Sequence, residues 1–144
     1  MCIRDRRIVA HDRASLSKKE SRWRRIIQEA AEQARRAHLP ALAAPLDLAE
    51  ACQEAAVQAD LTLFLWESAP GHGLKGALQA WQSSAAASGR ISLFVGPEGG
   101  FAASEAALAE ASGAHLIGLG PRILRAETAG LAAAAAILYE MGDM

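Results

Sequence analysis

The chain has 144 residues, 51% of them hydrophobic, and a formal net charge of -1. That length and composition fit one folded domain with a real core and exclude a disordered polymer. No apolar run reaches the length of a membrane span, no signal-peptide core opens the chain, and Cys2 and Cys52 are too few for a disulfide framework or a metal site, so the expected compartment is the cytoplasm.

In chain order, "MCIRDR" (residues 1–6) reads as a non-native scar that resembles translated adapter sequence, and "RIVA" reads as the last strand of something upstream, so a fragment is expected. Residues 17–36 predict a helix. Ser17 and Glu20 have the spacing of a capping box, and Trp23, Ile26, Ile27, Ala30, Ala31 and Ala34 recur on one face. Glu29, Gln33 and Arg36 fall together on another face. Residues 1–40 carry 11 Lys and Arg against 5 Asp and Glu, whereas the remainder carries 4 against 11. A basic front end suits a phosphate backbone, and it equally suits a solvated helix face; Lys18, Lys19, Arg22, Arg24 and Arg25 belong to it.

"LPALAAP" is extended, and "LDLAEACQEAAVQ" is a second helix with Asp47 as its cap. From there strands and helices alternate. Residues 60–67 are a buried strand, 74–87 a helix, 89–96 a strand and 101–113 a helix with Ser104 as cap and Gly113 as stop; 114–120 are a strand and 128–142 a final helix. This alternation implies a parallel sheet covered by helices on both faces. Trp23 and Trp81 read as core, with Trp66, at a strand end, undecided. His11, His38, His72 and His115 are scattered without ligand spacing, so no metal is expected.

In such sheets ligands bind beyond the carboxyl ends of the strands. Two loops fall there. "GPEGG" (Gly96, Pro97, Glu98, Gly99, Gly100) lacks the lysine of a nucleoside-triphosphate loop and the spacing of a dinucleotide fingerprint; alone it is equally a tight turn. "LGPRILRAETA" (residues 119–129) places Arg122 and Arg125 around Ile123 and Leu124, with Glu127 and Thr128 at the expected helix start, where they either cap it or serve a site.

"FVGPEGGF" with Glu105 beyond it, "LGPRILRAETAGLAAAA", and "ESRWRRIIQEAAEQARR" near the front resemble the RsmE-type 16S ribosomal RNA uridine methyltransferases of the SPOUT class, over residues 7–142 and in the right order. The resemblance implies an α/β domain with a carboxyl-terminal trefoil knot, a homodimer whose active site forms where subunits meet, and S-adenosylmethionine bound in the knot. It implies a cofactor pocket from Gly96, Pro97, Glu98, Gly99, Gly100, Leu119, Gly120, Ile123, Leu124, Arg125, Thr128 and Ala129. The family also has an amino-terminal PUA-like RNA-binding domain, for which this chain has no room, leaving residues 7–144 as the methyltransferase domain.

The implied reaction is transfer of a methyl group to the ring nitrogen N3 of a uridine in 16S ribosomal RNA, without a metal. Arg125 or Arg122 is expected to stabilise the uracil anion or grip the RNA, and Glu98 or Glu127 to orient or accept the proton. Arg22, Arg25, Gln33 and Arg36 are expected to meet RNA, with Glu105 a helix-surface residue. The competing readings are a non-catalytic RNA-binding domain that kept the fold, and a SPOUT enzyme acting elsewhere on RNA, such as a ribose hydroxyl.

Overall fold

A computed structural model of the chain describes residues 13–69, 73–84 and 89–143, with side chains from residue 19 onward. "MCIRDR" and "RIVA" lie outside the described residues. The chain divides into two compact units, one ending at Pro45 and one running from Leu46 onward.

The first unit contains α1 (Arg13–Gln33). It starts before Ser17, so Ser17 sits inside the helix and does not cap it. The Ser-x-x-Glu spacing by itself does not distinguish a first turn from a helix interior. Arg25 pairs with Glu29 at 3.4 Å, and Gln28 donates to Glu32 at 2.9 Å, both one turn apart. The helix ends in a left-handed cap: Arg35 has φ 51°, its N–H donates to the Glu32 carbonyl, and the Arg36 N–H donates to the Ala31 carbonyl. Arg36 is therefore outside the helix and off the face that Glu29 and Gln33 were expected to share with it.

The second unit is a three-layer α/β/α arrangement. Among the described residues its sheet has three parallel strands in the order β2-β1-β3: β1 (Leu61–Leu65), β2 (Ile91–Phe94) and β3 (His115–Ile117). Leu61 pairs with Ile91 on one side of β1, and Leu63 with His115 on the other. Successive side chains of a strand point to opposite faces. Leu61, Leu63, Leu93 and Ile117 accordingly pack with α3 (Leu74–Gln82) and α5 (Ala126–Glu140). Phe64 and Phe94 pack with α2 (Leu48–Gln58) and α4 (Ala103–Ala111) on the other face. Leu63 and Phe64 are fully buried, a contribution of about 1.5–3 kcal/mol each. No described helix is long and apolar enough to cross a membrane.

Local chemistry sets the helix ends. Asp47 caps α2: its carboxylate accepts the Glu50 N–H at 2.8 Å, and the Glu50 carboxylate accepts the Asp47 N–H at 3.2 Å. Helix α4 starts after Ala102 and not at Ser104. Ala102 has no side-chain acceptor, and the Glu105 carboxylate reaches back to its N–H at 2.7 Å. Gly113, at φ 88°, closes α4 with a Schellman turn, the Ala114 N–H donating to the Ala109 carbonyl. Helix α3 stops at Gln82, shorter than expected, and the Ser83 and Ser84 hydroxyls donate to the Gln79 and Trp81 carbonyls. Gln82 also donates to the Glu140 carbonyl at 3.2 Å, tying α3 to the end of α5.

The path from β1 to β2 runs through α3 on one face, and the path from β2 to β3 through α4 on the other. Chains leaving adjacent strand ends for opposite faces open a crevice at the carboxyl edge of the sheet.

Candidate functional site

A cleft of about 650 Å³ occupies that edge. Three strand ends supply its walls: Leu65, Trp66 and Glu67 from β1, Val95 to Phe101 (save Gly99) from β2, and Ile117 to Ala129 (save Thr128) from β3 into α5.

The β2 loop is folded on itself. The Gly100 N–H donates to the Pro97 carbonyl at 2.8 Å, and Gly100 has φ 68°, a conformation that glycine adopts without steric cost. Gly96 is bare for another reason. A Cβ there would lie 3.1 Å from the Phe101 ring, closer than most packing contacts, so an added methyl would need the ring to yield slightly. That ring in turn sits 4.1 Å from the Phe64 ring, centroid to centroid. Gly99 is exposed at the tip of the turn and stands off the cleft.

The β3 loop is built differently. Strand β3 ends at Ile117, earlier than the apolar run of residues 114–120 implied, and Gly120 takes φ 106° within the loop that follows. Pro121 to Arg125 are then exposed side chain after side chain; Ile123 is 81% accessible. Helix α5 begins at Ala126, two residues before the expected start, with Arg125 as N-cap. The Thr128 and Ala129 N–H groups donate to the Arg125 carbonyl at 2.9 and 2.8 Å. Arg125 lies 4.0 Å from Glu127, but both side chains are largely in solvent and the pair contributes little. Thr128 is exposed and not part of the lining.

The cleft brings together Gly96, Pro97, Glu98, Gly100, Leu119, Gly120, Arg122, Ile123, Leu124, Arg125, Glu127 and Ala129 from two separated stretches of chain. Trp66, Glu67, Phe101 and Gly118 also line it. The signal for Trp66 and Glu67 was available, because β1 ends on the same edge as β2 and β3. The walls are chemically mixed, with apolar Val95, Leu119, Ile123 and Leu124 beside loop backbone and charged rims. Such a lining suits a ligand with both apolar and polar parts. Among the described residues no group of three or more His, Cys, Asp or Glu is placed to hold a metal ion. Arg22, Arg25, Gln33 and Arg36 are all exposed, in the unit that ends at Pro45.

The fold thus defines a parallel α/β domain with a cleft at the carboxyl ends of its strands. A family profile described as RNA methyltransferase domain matches residues 1–138. The "Ribosomal RNA small subunit methyltransferase E" of a Synechocystis strain is 41% identical over 119 residues, covering 83% of this chain and 38% of that protein. Its namesake from Mycobacterium bovis is 37% identical over 136 residues, covering 91% and 49%. Among solved structures, a Legionella pneumophila protein in complex with the cofactor SAM superposes with a TM-score of 0.79 at 32% identity, over 96% of this chain and 53% of that one. The Neisseria gonorrhoeae ribosomal RNA small subunit methyltransferase E bound to S-adenosyl methionine gives 0.74 at 31% identity, over 95% and 52%. The chain belongs to the RNA methyltransferase domain family, in its RsmE-like branch. It spans about half the length, or less, of these relatives.

Proposed function

We propose that this chain is a methyltransferase domain that uses S-adenosylmethionine to methylate N3 of a uridine in 16S ribosomal RNA, in the cytoplasm, as a homodimer. The observation that carries the reading is the convergence of "GPEGG" and "LGPRILRAETA" on one cleft of mixed polarity. Two structural neighbours at this cleft's fold level carry SAM in their own structures.

The lining fits that cofactor. Leu119, Ile123 and Leu124 offer apolar surface to an adenine, and the Gly96–Gly100 and Leu119–Gly120 backbone offers donors and acceptors to its edge. When bound, the cofactor supplies a methyl carbon made electrophilic by its sulfonium. The residues of the chain then have two tasks, alignment and charge. Uracil N3 must lose its proton as the N–C bond forms and the S–C bond breaks. Arg125 or Arg122 stabilises the resulting anion or grips the RNA phosphate; Glu98 or Glu127 orients or accepts the proton. Arg22, Arg25, Gln33 and Arg36 contact RNA.

The dimer belongs to the same proposal, and so does the trefoil knot. Leu131 and Tyr139 on α5 are 73% and 74% accessible, with Leu138 also exposed, on a helix whose opposite side packs through Ala133 and Ile137. This outward stripe is the surface we assign to the second subunit.

Calorimetric titration of the purified chain with S-adenosylmethionine is the first test. Saturable binding at one site per subunit supports the reading. Absence of binding by a folded, dimeric chain overturns it and leaves the non-catalytic RNA-binding reading, which has no need of a methyl donor.

A further inference from the structure

The glycine loop raises a question that its resemblance to a cofactor loop does not answer: what does each glycine make room for? At Gly96 the neighbour is part of the chain itself. A Cβ there would meet Phe101 Cδ2 at 3.1 Å and Cε2 at 3.3 Å, and the Gly100 carbonyl carbon at 3.4 Å. Gly96 shows no positive φ, so its backbone is open to any residue and only the neighbours make it bare. The Phe101 ring is half-buried, facing the cleft on one side and backed by the core on another. It packs 4.1 Å from Phe64, which is fully buried in the central strand and itself packs 5.7 Å from Phe94. Its backbone is fixed on the other side by α4, whose Glu105 holds the Ala102 N–H.

We propose that Phe101 is a positioning residue for the donor site: its ring, seated on Phe64, presses on the Gly96 backbone and sets the place of the Pro97–Gly100 turn before any ligand arrives. Glycine at 96 then serves the ring and not the ligand. The inference rests on the reading of the cleft as a methyl-donor site, and it adds that one wall of that site is pre-set by an aromatic contact within the chain. Preorganisation of this kind strengthens binding because the loop has less freedom to lose when the ligand docks.

The test is a double-mutant cycle on the whole chain, with Gly96→Ala and Phe101→Leu alone and together, and Phe101→Met as a second ring-less variant. Two quantities are read: the thermal midpoint, and the affinity for S-adenosylhomocysteine well below every midpoint, by calorimetry and by tryptophan emission, to which Trp66 in the cleft contributes. Gly96→Ala in the parent should weaken binding by about tenfold and lower the midpoint; in either ring-less background the same substitution should change affinity by less than about twofold, as expected when two sites interact directly. Phe101→Leu alone should weaken binding in a chain that is still fully folded.

An equal loss from Gly96→Ala in all backgrounds would overturn the proposal and assign the bare position to the ligand. A lower midpoint for Phe101→Leu with unchanged affinity would also overturn it, leaving Phe101 a packing residue. If the parent chain binds no S-adenosylhomocysteine, the donor reading fails, and with it the positioning role. The thermal cycle then reports only whether the ring and Gly96 are coupled.

Discussion

The two loops that meet in the cleft are opposites. The β2 loop is held by its own chain, with a turn bond from Gly100 to Pro97, an aromatic ring on Gly96 and a carboxylate bonded behind the ring at Ala102. The β3 loop extends Arg122, Ile123, Leu124 and Arg125 into solvent, with a weak ion pair from Arg125 to Glu127. One wall of the site is finished by folding alone. The other displays groups whose worth depends on what comes to cover them, which in the proposed reading is donor, RNA or a second subunit. Binding energy on the second wall is spent on ordering as well as on contact, which makes it the natural place for discrimination between partners.

Substitutions that act on one wall only will break or sharpen this contrast. The largest effect is expected at Arg125. Arg125→Ala should slow single-turnover methyl transfer by at least about 100-fold, the scale for removing one group that stabilises a developing anion, while donor affinity by calorimetry stays within about threefold. Equal losses in both would make Arg125 a binding residue and the exposed wall a second donor wall. Next comes the cover itself. Leu131→Asp on the outward stripe of α5 should raise the dimer dissociation constant by about 30-fold or more, as for a buried interface anchor, when measured by sedimentation. A dimer indifferent to this change would move the interface elsewhere.

Smaller effects concern backbone. Gly120→Ala forces a Cβ onto a residue at φ 106° and should cost about 1–3 kcal/mol, read in chemical denaturation, with a loss of donor affinity because Gly120 lies in the loop that lines the cleft. The smallest belongs to the finished wall. Glu105→Ala removes the acceptor of the Ala102 N–H and should cost about 1 kcal/mol by the same measurement. Its effect on donor affinity should be slight, since the Phe101 ring still rests on Phe64.

Much of the layered fold was legible because its causes are local. Alternating runs of apolar strand and helix imply parallel crossovers, and the Asp47–Glu50 pair and Gly113 mark helix ends whose chemistry lies within a few residues. The two cleft loops were legible for the same reason, as glycines and arginines at strand ends. What stayed hidden depends on the chain meeting itself. Gly96 announced a close approach, but nothing in "GPEGGF" says that the approaching group is its own Phe101. Ser17 and Ser104 carried capping side chains at plausible spacing, yet α1 starts before the one and α4 is capped through Glu105 instead of the other. Arg36 left its helix face because Arg35 takes a left-handed turn that no propensity of arginine foretells.

The order of the strands carries a consequence for how the chain acquires its shape. Strand β1 lies in the middle of the sheet, and both of its neighbours follow it in sequence, each after a complete helix. On a ribosome, Leu63 and Phe64 therefore emerge with neither edge paired and wait for two later strands before burial. Non-local parallel pairing of this kind is slow, and a bare apolar strand is open to pairing with other chains in the meantime. Refolding yield should fall as concentration rises, and the interval most exposed to that loss lies between the appearance of β1 and the closure of β3 beside it.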